Sequence, residues 1–465
     1  MIATLIVLVP IGAAALCLIG RTARPSAVLA SAAISGAAIW SLVAPSGALR
    51  LLWAAPLGAT FAVDLDALSA VFVCVLGAVS FVGAAASARV PDRRAFFALW
   101  CLALAGLCGV LVSRDLALLF VAWETALITL AVLVRQWGGN DRRTAAHAFL
   151  GYTLLGSGLF LVALASIAVA RGTLDMDALA SRPIAAAGQV LPALLFLAAF
   201  APALPLFPLH AWAPRVYAAA PVPVSMLIGA GLGSAAVYGV IRCCLALFPQ
   251  GIASAAPALV ALAAVGILYG AILATQQDDL RRAIAYLGLS QQNLVALAAL
   301  TATVTSLRGA VVASLGDALV IAALLLIASW VARRTSSFLI SHAGGLAVSA
   351  PTFASLATVI MLAAIGVPGS AGFAGTLLAL AGSYERYPEA AVVAALAGIV
   401  FATACIRIAR RVFHGPPLVN GIDVRWREWV LVVPLLVLIL GLGVAPTALL
   451  DRLGDGALPA TEIRP

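Results

Sequence analysis

About 14 apolar windows of roughly 20 residues follow one another along the chain, and that succession constrains the fold more than any other feature. They fall near 2–20, 27–46, 66–88, 95–112, 115–134, 145–170, 188–209, 222–247, 253–275, 285–304, 309–332, 352–383, 389–409 and 429–448. A hydrocarbon layer about 30 Å thick is crossed by about 20 helical residues, so each window is long enough to span it. Of the 465 residues, 64% are hydrophobic and 10% charged, whereas soluble domains hold about 45–50% and about 25%. A soluble fold of this size could not cover so much apolar surface. That excludes a soluble enzyme, a disordered chain and a nucleic-acid-binding domain. It predicts an all-α polytopic membrane protein.

The charges predict the orientation. All 27 basic residues are arginine. Arginine stays protonated, so no step here can use an amine of tunable pKa. Eighteen arginines lie in loops after odd-numbered windows, among them Arg21, Arg89, Arg281 and Arg334; nine lie on the other side, among them Arg50, Arg114, Arg242 and Arg464. The excess of positive charge marks the cytoplasmic side, which puts both termini outside. Arg21 and Arg24 follow the first apolar run instead of preceding it, so this run reads as a first spanning helix and not as a secretory signal. The connections between windows are too short for a soluble domain.

Ionisable residues inside the windows carry the functional signal, because a charge at mid-membrane costs about 2.5–3.5 kcal/mol on insertion scales. Glu385, Glu389, Glu428 and Glu462 sit at or beyond window ends; Glu124 lies mid-way along the fifth. It must be protonated, paired or beside water, which suits a proton relay or a gate as well as helix pairing. Asp317 lies in the eleventh window, nearer an end. Asp64 and Asp66 open the third, where a helix cap and a place on a proton path are both compatible. His210 follows the seventh window and His147 opens the sixth, and each could titrate near neutral pH. His342 and His414 read as loop residues. Trp123 and Trp212 are interface anchors or packing residues. The seven cysteines all lie in apolar runs without metal-ligand spacing, so they read as small buried hydrophobes. No metal site, bound cofactor or activated nucleophile is expected.

Two windows look interrupted. The seventh carries Pro192, Pro202, Pro205 and Pro208, and the twelfth contains Gly366-Val367-Pro368-Gly369-Ser370-Ala371-Gly372. Proline removes a backbone donor and glycine weakens a helix. Such breaks persist at membrane depth only inside protein or beside a water-filled cavity, and in transporters they often mark an ion path.

The block from Phe200 to Arg242, which contains Pro205-Leu206-Phe207-Pro208-Leu209-His210-Ala211-Trp212 and Ala220-Pro221-Val222-Pro223-Val224-Ser225, resembles the signature of the antiporter-like membrane subunits of respiratory complex I and Mrp cation/proton antiporters. Asp279 to Tyr286, Gly344 to Ala347, Gly366 to Gly375, Val121 to Glu124 and Asp66 to Ser69 resemble shorter motifs of that family, so the likeness spans about residues 60–410. It implies a core of 14 helices with helices 7 and 12 broken and both termini outside. The expected divisions are N-terminal helices in 1–60, an antiporter-like core in 61–410, and a loop, last helix and tail in 411–465.

The departures are specific. Where the resemblance implies intramembrane lysines, this sequence has Ala203 on helix 7, Ser234 on helix 8, Ile321 on helix 11 and Thr376 on helix 12; Asp317 stands at the helix 11 histidine position. Compositional drift from lysine would yield arginine, not Ala, Ser, Ile and Thr. Glu124 therefore lacks its family counter-charge, and the full proton chain cannot operate in its usual form. Three functions are compatible: a membrane-arm subunit of a complex related to complex I, membrane-bound hydrogenases or formate hydrogenlyases, with a reduced or partial proton path; an ion-coupled transporter, such as the membrane half of a two-part inorganic-carbon uptake system; or a structural anchor for a soluble redox module. The first is favoured. Its partners would be the bilayer of a bacterial inner membrane, other membrane subunits, a cytoplasmic-side redox or soluble protein, and protons or small cations. The path residues would be Glu124, Asp317, His210 and Asp66, with no catalytic centre in this chain. Glu124→Gln is expected to abolish any proton flux with the protein still inserted.

Overall fold

The computed structural model describes residues 1–19, 22–44, 47–54, 58–88, 90–418 and 422–454. Arg21, Arg89, Glu462 and Arg464 lie outside the described residues. Helices α1 (Ile2–Ile19) and α2 (Ala23–Val43) are followed by a hairpin of β1 (Leu49–Ala54) and β2 (Ala59–Val63), antiparallel with Leu49 opposite Val63. Then come α3 (Ala67–Ala86), α4 (Arg93–Val112), α5 (Leu116–Trp137), α6 (Arg142–Arg171), the short α7 (Met176–Ser181), α8 (Ala186–Phe200) and α9 (Ala213–Ala219). The chain continues through α10 (Val222–Leu245), α11 (Pro249–Gln276), α12 (Leu280–Thr301) and α13 (Val304–Thr335). It ends with α14 (Pro351–Ile365), α15 (Ala371–Tyr384), α16 (Pro388–Val412), α17 (Trp426–Val444) and α18 (Pro446–Leu453).

Among the described residues, 12 helices are long and apolar enough to cross a membrane. The shorter apolar helices α8, α14 and α15 occupy the seventh and twelfth windows. The protein is therefore an all-α polytopic membrane protein. The acids and hydroxyls between windows define the helix starts. Asp66 Oδ1 accepts from Ser69 N at 2.9 Å, Asp115 Oδ1 from Ala117 N at 2.9 Å and Leu118 N at 3.2 Å, and Thr303 exchanges bonds with Ser306 in a capping box. Each satisfies backbone donors that the first turn leaves free.

The loop contacts obey the alternation of faces. On the even-loop face Arg50 pairs with Asp175 at 2.7 Å, and Arg452 reaches Leu42 O at 2.5 Å. On the odd-loop face Arg334 pairs with Glu428 at 2.9 Å, and Trp137 donates to Pro91 O at 2.8 Å. Burial concentrates in α10, α12 and α13, whose best apolar windows are 94%, 89% and 100% buried; α1 and α2 reach 33% and sit at the periphery.

Several expectations change. Between the second and third windows, Leu49–Ala54 and Ala59–Val63 pair as two antiparallel strands. Helix α13 runs 32 residues, about 48 Å at 1.5 Å per residue. That places Asp317 near its middle; the polar first turn, Val304 to Arg308, had shortened the apolar window. Trp123 and Trp212 are each 1% exposed and are packing residues, not interface anchors.

Candidate functional site

The seventh and twelfth windows break as their prolines and glycines dictate. Helix α8 ends at Phe200, and turns run from 201 to 212 before α9 begins. Pro202, Pro205 and Pro208 withhold three backbone donors there, and the freed groups are met by side chains. Trp212 Nε1 donates to Pro202 O at 2.8 Å. Asn293 of α12 donates from Nδ2 to Pro205 O at 3.2 Å and to Leu289 O at 2.8 Å, while its Oδ1 accepts from Phe207 N at 3.2 Å. The twelfth window breaks where Gly366 (φ 86°) and Gly369 (φ 93°) take the left-handed conformation around Pro368. A Cβ at Gly372 would lie 2.6 Å from Ala363 O, so only glycine lets the two half-helices close.

The middle of α13 lies between the breaks. Asp317 is 7% exposed, and its Oδ2 accepts a hydrogen bond from Gln292 Nε2 at 2.6 Å. Two cavities of about 20 Å³ flank it, each with room for roughly one water molecule. One faces the twelfth-window break and is lined by Gln291, Asp317, Ile321, Gly372 and Thr376. The other faces the seventh-window break and is lined by Ala203, Pro205, Tyr217, Gln292, Asp317 and Ile321. The buried oxygens of Gln292 (Oε1), Ser314 (Oγ) and Ser234 (Oγ) have no hydrogen-bond partner. Helix α10 passes this chamber with π turns at Leu227–Leu232 and Val240–Leu245, a widening that recurs at functional sites. Ser234 lies between those two turns.

The positions at which the resemblance implies lysine therefore converge. Ala203 and Ile321 line one cavity, and Ile321 and Thr376 the other. Ser234 follows Gly233, whose added Cβ would touch Gln292 at 3.3 Å. Glu124 lines neither cavity. It is half-buried on α5 between exposed Val121 and Ile128, and its Oε1 has no partner. Ser157 Oγ of α6 is likewise buried without a partner. His210 is buried with Nδ1 unpartnered, 5.5 Å from the Phe207 ring and 4.9 Å from that of Tyr269. It lines neither cavity around Asp317. His147 lies on the second turn of α6, 3.3 Å from Arg135 Nη1.

Asp66 has a different setting. It caps α3, and its Oδ2 accepts from Arg114 at 2.8 Å and also from Arg242. Asp64 joins through Arg114 at 3.2 Å, and Tyr238 meets Ser69 Oγ at 3.0 Å. Burial alone would raise the Asp66 carboxyl, but the Arg242 and Arg114 guanidiniums outweigh it and hold it at about 2. Asp66 thus stays ionised at neutral pH and ties α3, α10 and the α4–α5 loop together. Gln292, Asn293, Tyr217, Arg114 and Arg242 were not singled out from the sequence. The available signal was the polar run Gln291-Gln292-Asn293 inside an apolar window.

The family described as "NADH:quinone oxidoreductase/Mrp antiporter, TM" matches residues 113–403. The "NAD(P)H-quinone oxidoreductase chain 4 1" of Synechococcus sp. (strain JA-3-3Ab) is 32% identical over 415 residues, covering 85% of this chain and 78% of that one. The "NADH-quinone oxidoreductase subunit M" of Rhodobacter capsulatus is 31% identical over 363 residues, covering 74% and 71%. A chain of respiratory complex I from Thermus thermophilus superimposes with a TM-score of 0.91 at 31% identity, covering 97% of each chain. A chain of the archaeal membrane-bound sulfane sulfur reductase does so at 0.88 and 25% identity, again covering 97% of each. The match residues, the two broken helices and the whole-chain superposition agree, and the chain belongs to the NADH:quinone oxidoreductase/Mrp antiporter transmembrane family.

Proposed function

We propose that the protein is a membrane-arm subunit of a multisubunit, redox-linked, proton-translocating complex, with a reduced proton path centred on Asp317. The observation that carries this reading is the placement of Asp317 between two helix breaks, with a one-water cavity on each side. A carboxyl there can accept a proton from one cavity and release it to the other, and Gln292 holds its orientation. Ala203, Ser234, Ile321 and Thr376, where the resemblance implies lysines, carry no titratable group and supply no second proton carrier. Glu124 serves on α5 as a relay in series with this path, and Asp66 and His210 as anchors. The relatives named as quinone oxidoreductase chains and the complex I superposition support a subunit role.

The chain would cross the inner membrane of a bacterium 14 times, counting each broken helix once, with both termini outside. It would have no catalytic centre of its own and would depend on a redox-active partner at the cytoplasmic side. Mild-detergent purification of the tagged protein from its own membranes, with mass spectrometry of what accompanies it, tests this. Recovery of further membrane subunits with a redox module is expected. Recovery with a single large zinc protein would instead favour the inorganic-carbon transporter.

A further inference from the structure

A groove of about 380 Å³ opens on the outer surface between α12, α15 and α16. Its rim holds the exposed Ala395 and Gly398 of α16, and its floor includes Gln291 and Thr376. Gln291 lies near the middle of α12 and Gly398 near that of α16, and Thr376 lies on α15 just past the twelfth-window break, all within apolar helices. Gln291, Thr376 and Phe401 also line the cavity that contains Asp317, so the groove leads from the surface toward that carboxyl. Two features disfavour lipid as its covering. Polar floor groups facing acyl chains are costly. Asp317 also accepts its hydrogen bond from a neutral amide, in a chain with no lysine. Small residues at the rim let another helix approach closely.

The geometry points to this groove as the docking site for a transmembrane helix of a partner subunit, whose lysine or arginine side chain enters past Thr376 and supplies the counter-charge to Asp317. Charge complementarity selects the occupant: the replacement of four lysine positions in this chain is compensated from the neighbouring one. The inference rests on the reading of the chain as a subunit of a complex.

The test uses the full-length protein in its own membranes with the photo-crosslinking residue p-benzoylphenylalanine in place of Ala395, and a lipid-facing control at Leu396. The expected result is one crosslinked transmembrane peptide with a lysine or arginine within a turn of the attachment point. Asp317→Asn is expected to lower the crosslink yield about tenfold with insertion unchanged, as loss of one member of a buried charge pair should. Filling the groove with Gly398→Leu should do the same. Lipid adducts alone, a crosslinked helix without a basic residue, or a yield unaffected by Asp317→Asn would overturn the proposal. If the wild-type protein purifies without any integral partner, the subunit reading itself fails, and the proposal with it. If partners are recovered but the crosslink is absent or lacks a basic residue, only the groove assignment fails.

Discussion

Gln292 on α12 donates its amide to the Asp317 carboxylate on α13 at 2.6 Å, joining the two helices at a carboxyl only 7% exposed. Hydrogen bonds to carboxylates contribute about 1.5–3 kcal/mol. Gln292→Leu should leave the protein inserted and folded but loosen the orientation of Asp317. Proton uptake by vesicles is expected to fall severalfold, and Gln292→Glu should not restore it, because a second carboxylate opposes the first. Unchanged uptake in Gln292→Leu would remove the orienting role.

Glu124 and Asp317 belong to different surroundings, so their neutral replacements should differ in character. Glu124→Gln is expected to abolish proton flux while leaving the helix α12–α13 packing, and hence thermal stability, within about 0.5 kcal/mol of wild type, as for substitutions outside a hydrogen-bonded network. Wild-type flux from Glu124→Gln would retire it as a relay. Melting in detergent alongside a dye-based flux assay separates the two effects.

The Asp66 cluster yields a pH prediction. Its carboxyl lies at about 2, below its ordinary 3.8, so the stability it confers is fully present above about pH 4 and is lost as pH falls through the folded value. The shift corresponds to about 2 kcal/mol. Melting temperature should therefore be insensitive to this group from pH 5 to 8 and decline in stronger acid. Asp66→Asn should cost about 3–5 kcal/mol at neutral pH, because it strands the Arg242 guanidinium and leaves Arg114 only Asp64. A melting temperature equal to wild type would show that the cluster is held by something else.

Asn293 satisfies two backbone groups at the seventh-window break, Pro205 O and Phe207 N, and Gly266 gives it room: an added Cβ there would lie 2.2 Å from Asn293 Oδ1. Asn293→Ala and Gly266→Ala should each destabilise the protein, the former by about 2–4 kcal/mol from buried groups left unpaired. Hydrogen exchange should rise locally at Phe207. A stable Gly266→Ala with unchanged exchange would contradict this account of the break.

The orientation is open to a labelling test. Asp177 and Ser341 are both exposed, on the even- and odd-loop faces. A membrane-impermeant thiol reagent should modify Asp177→Cys in intact cells and Ser341→Cys only after permeabilisation. The reverse pattern would invert the topology.

Local signals were readable in advance where the chemistry is local. Pro202, Pro205 and Pro208, three prolines within seven residues, and the glycines from 366 to 372 oppose a continuous helix, so both interruptions could be located from residue types, whereas the isolated Pro192 leaves α8 unbroken. The position of Ala203, Ile321 and Thr376 around Asp317 required the resemblance to place them and the structure to bring them together. Gln292 and Asn293 stayed hidden because a polar residue on a helix face has no spacing that names its partner on another helix. The paired strands Leu49–Ala54 and Ala59–Val63 carry no strand signal of their own, because Leu51, Leu52 and Trp53 blend into the surrounding apolar sequence. Arg114 and Arg242 lie 128 residues apart, and only the fold shows that both converge on Asp66.

Redox-driven proton uptake by inverted membrane vesicles, measured together with electron-transfer rate in wild type and Asp317→Asn, tests the central claim most directly. If the residual path runs through Asp317, electron transfer continues while protons moved per electron decline. An unchanged ratio with full insertion of the variant would contradict the account and leave the chain as a scaffold.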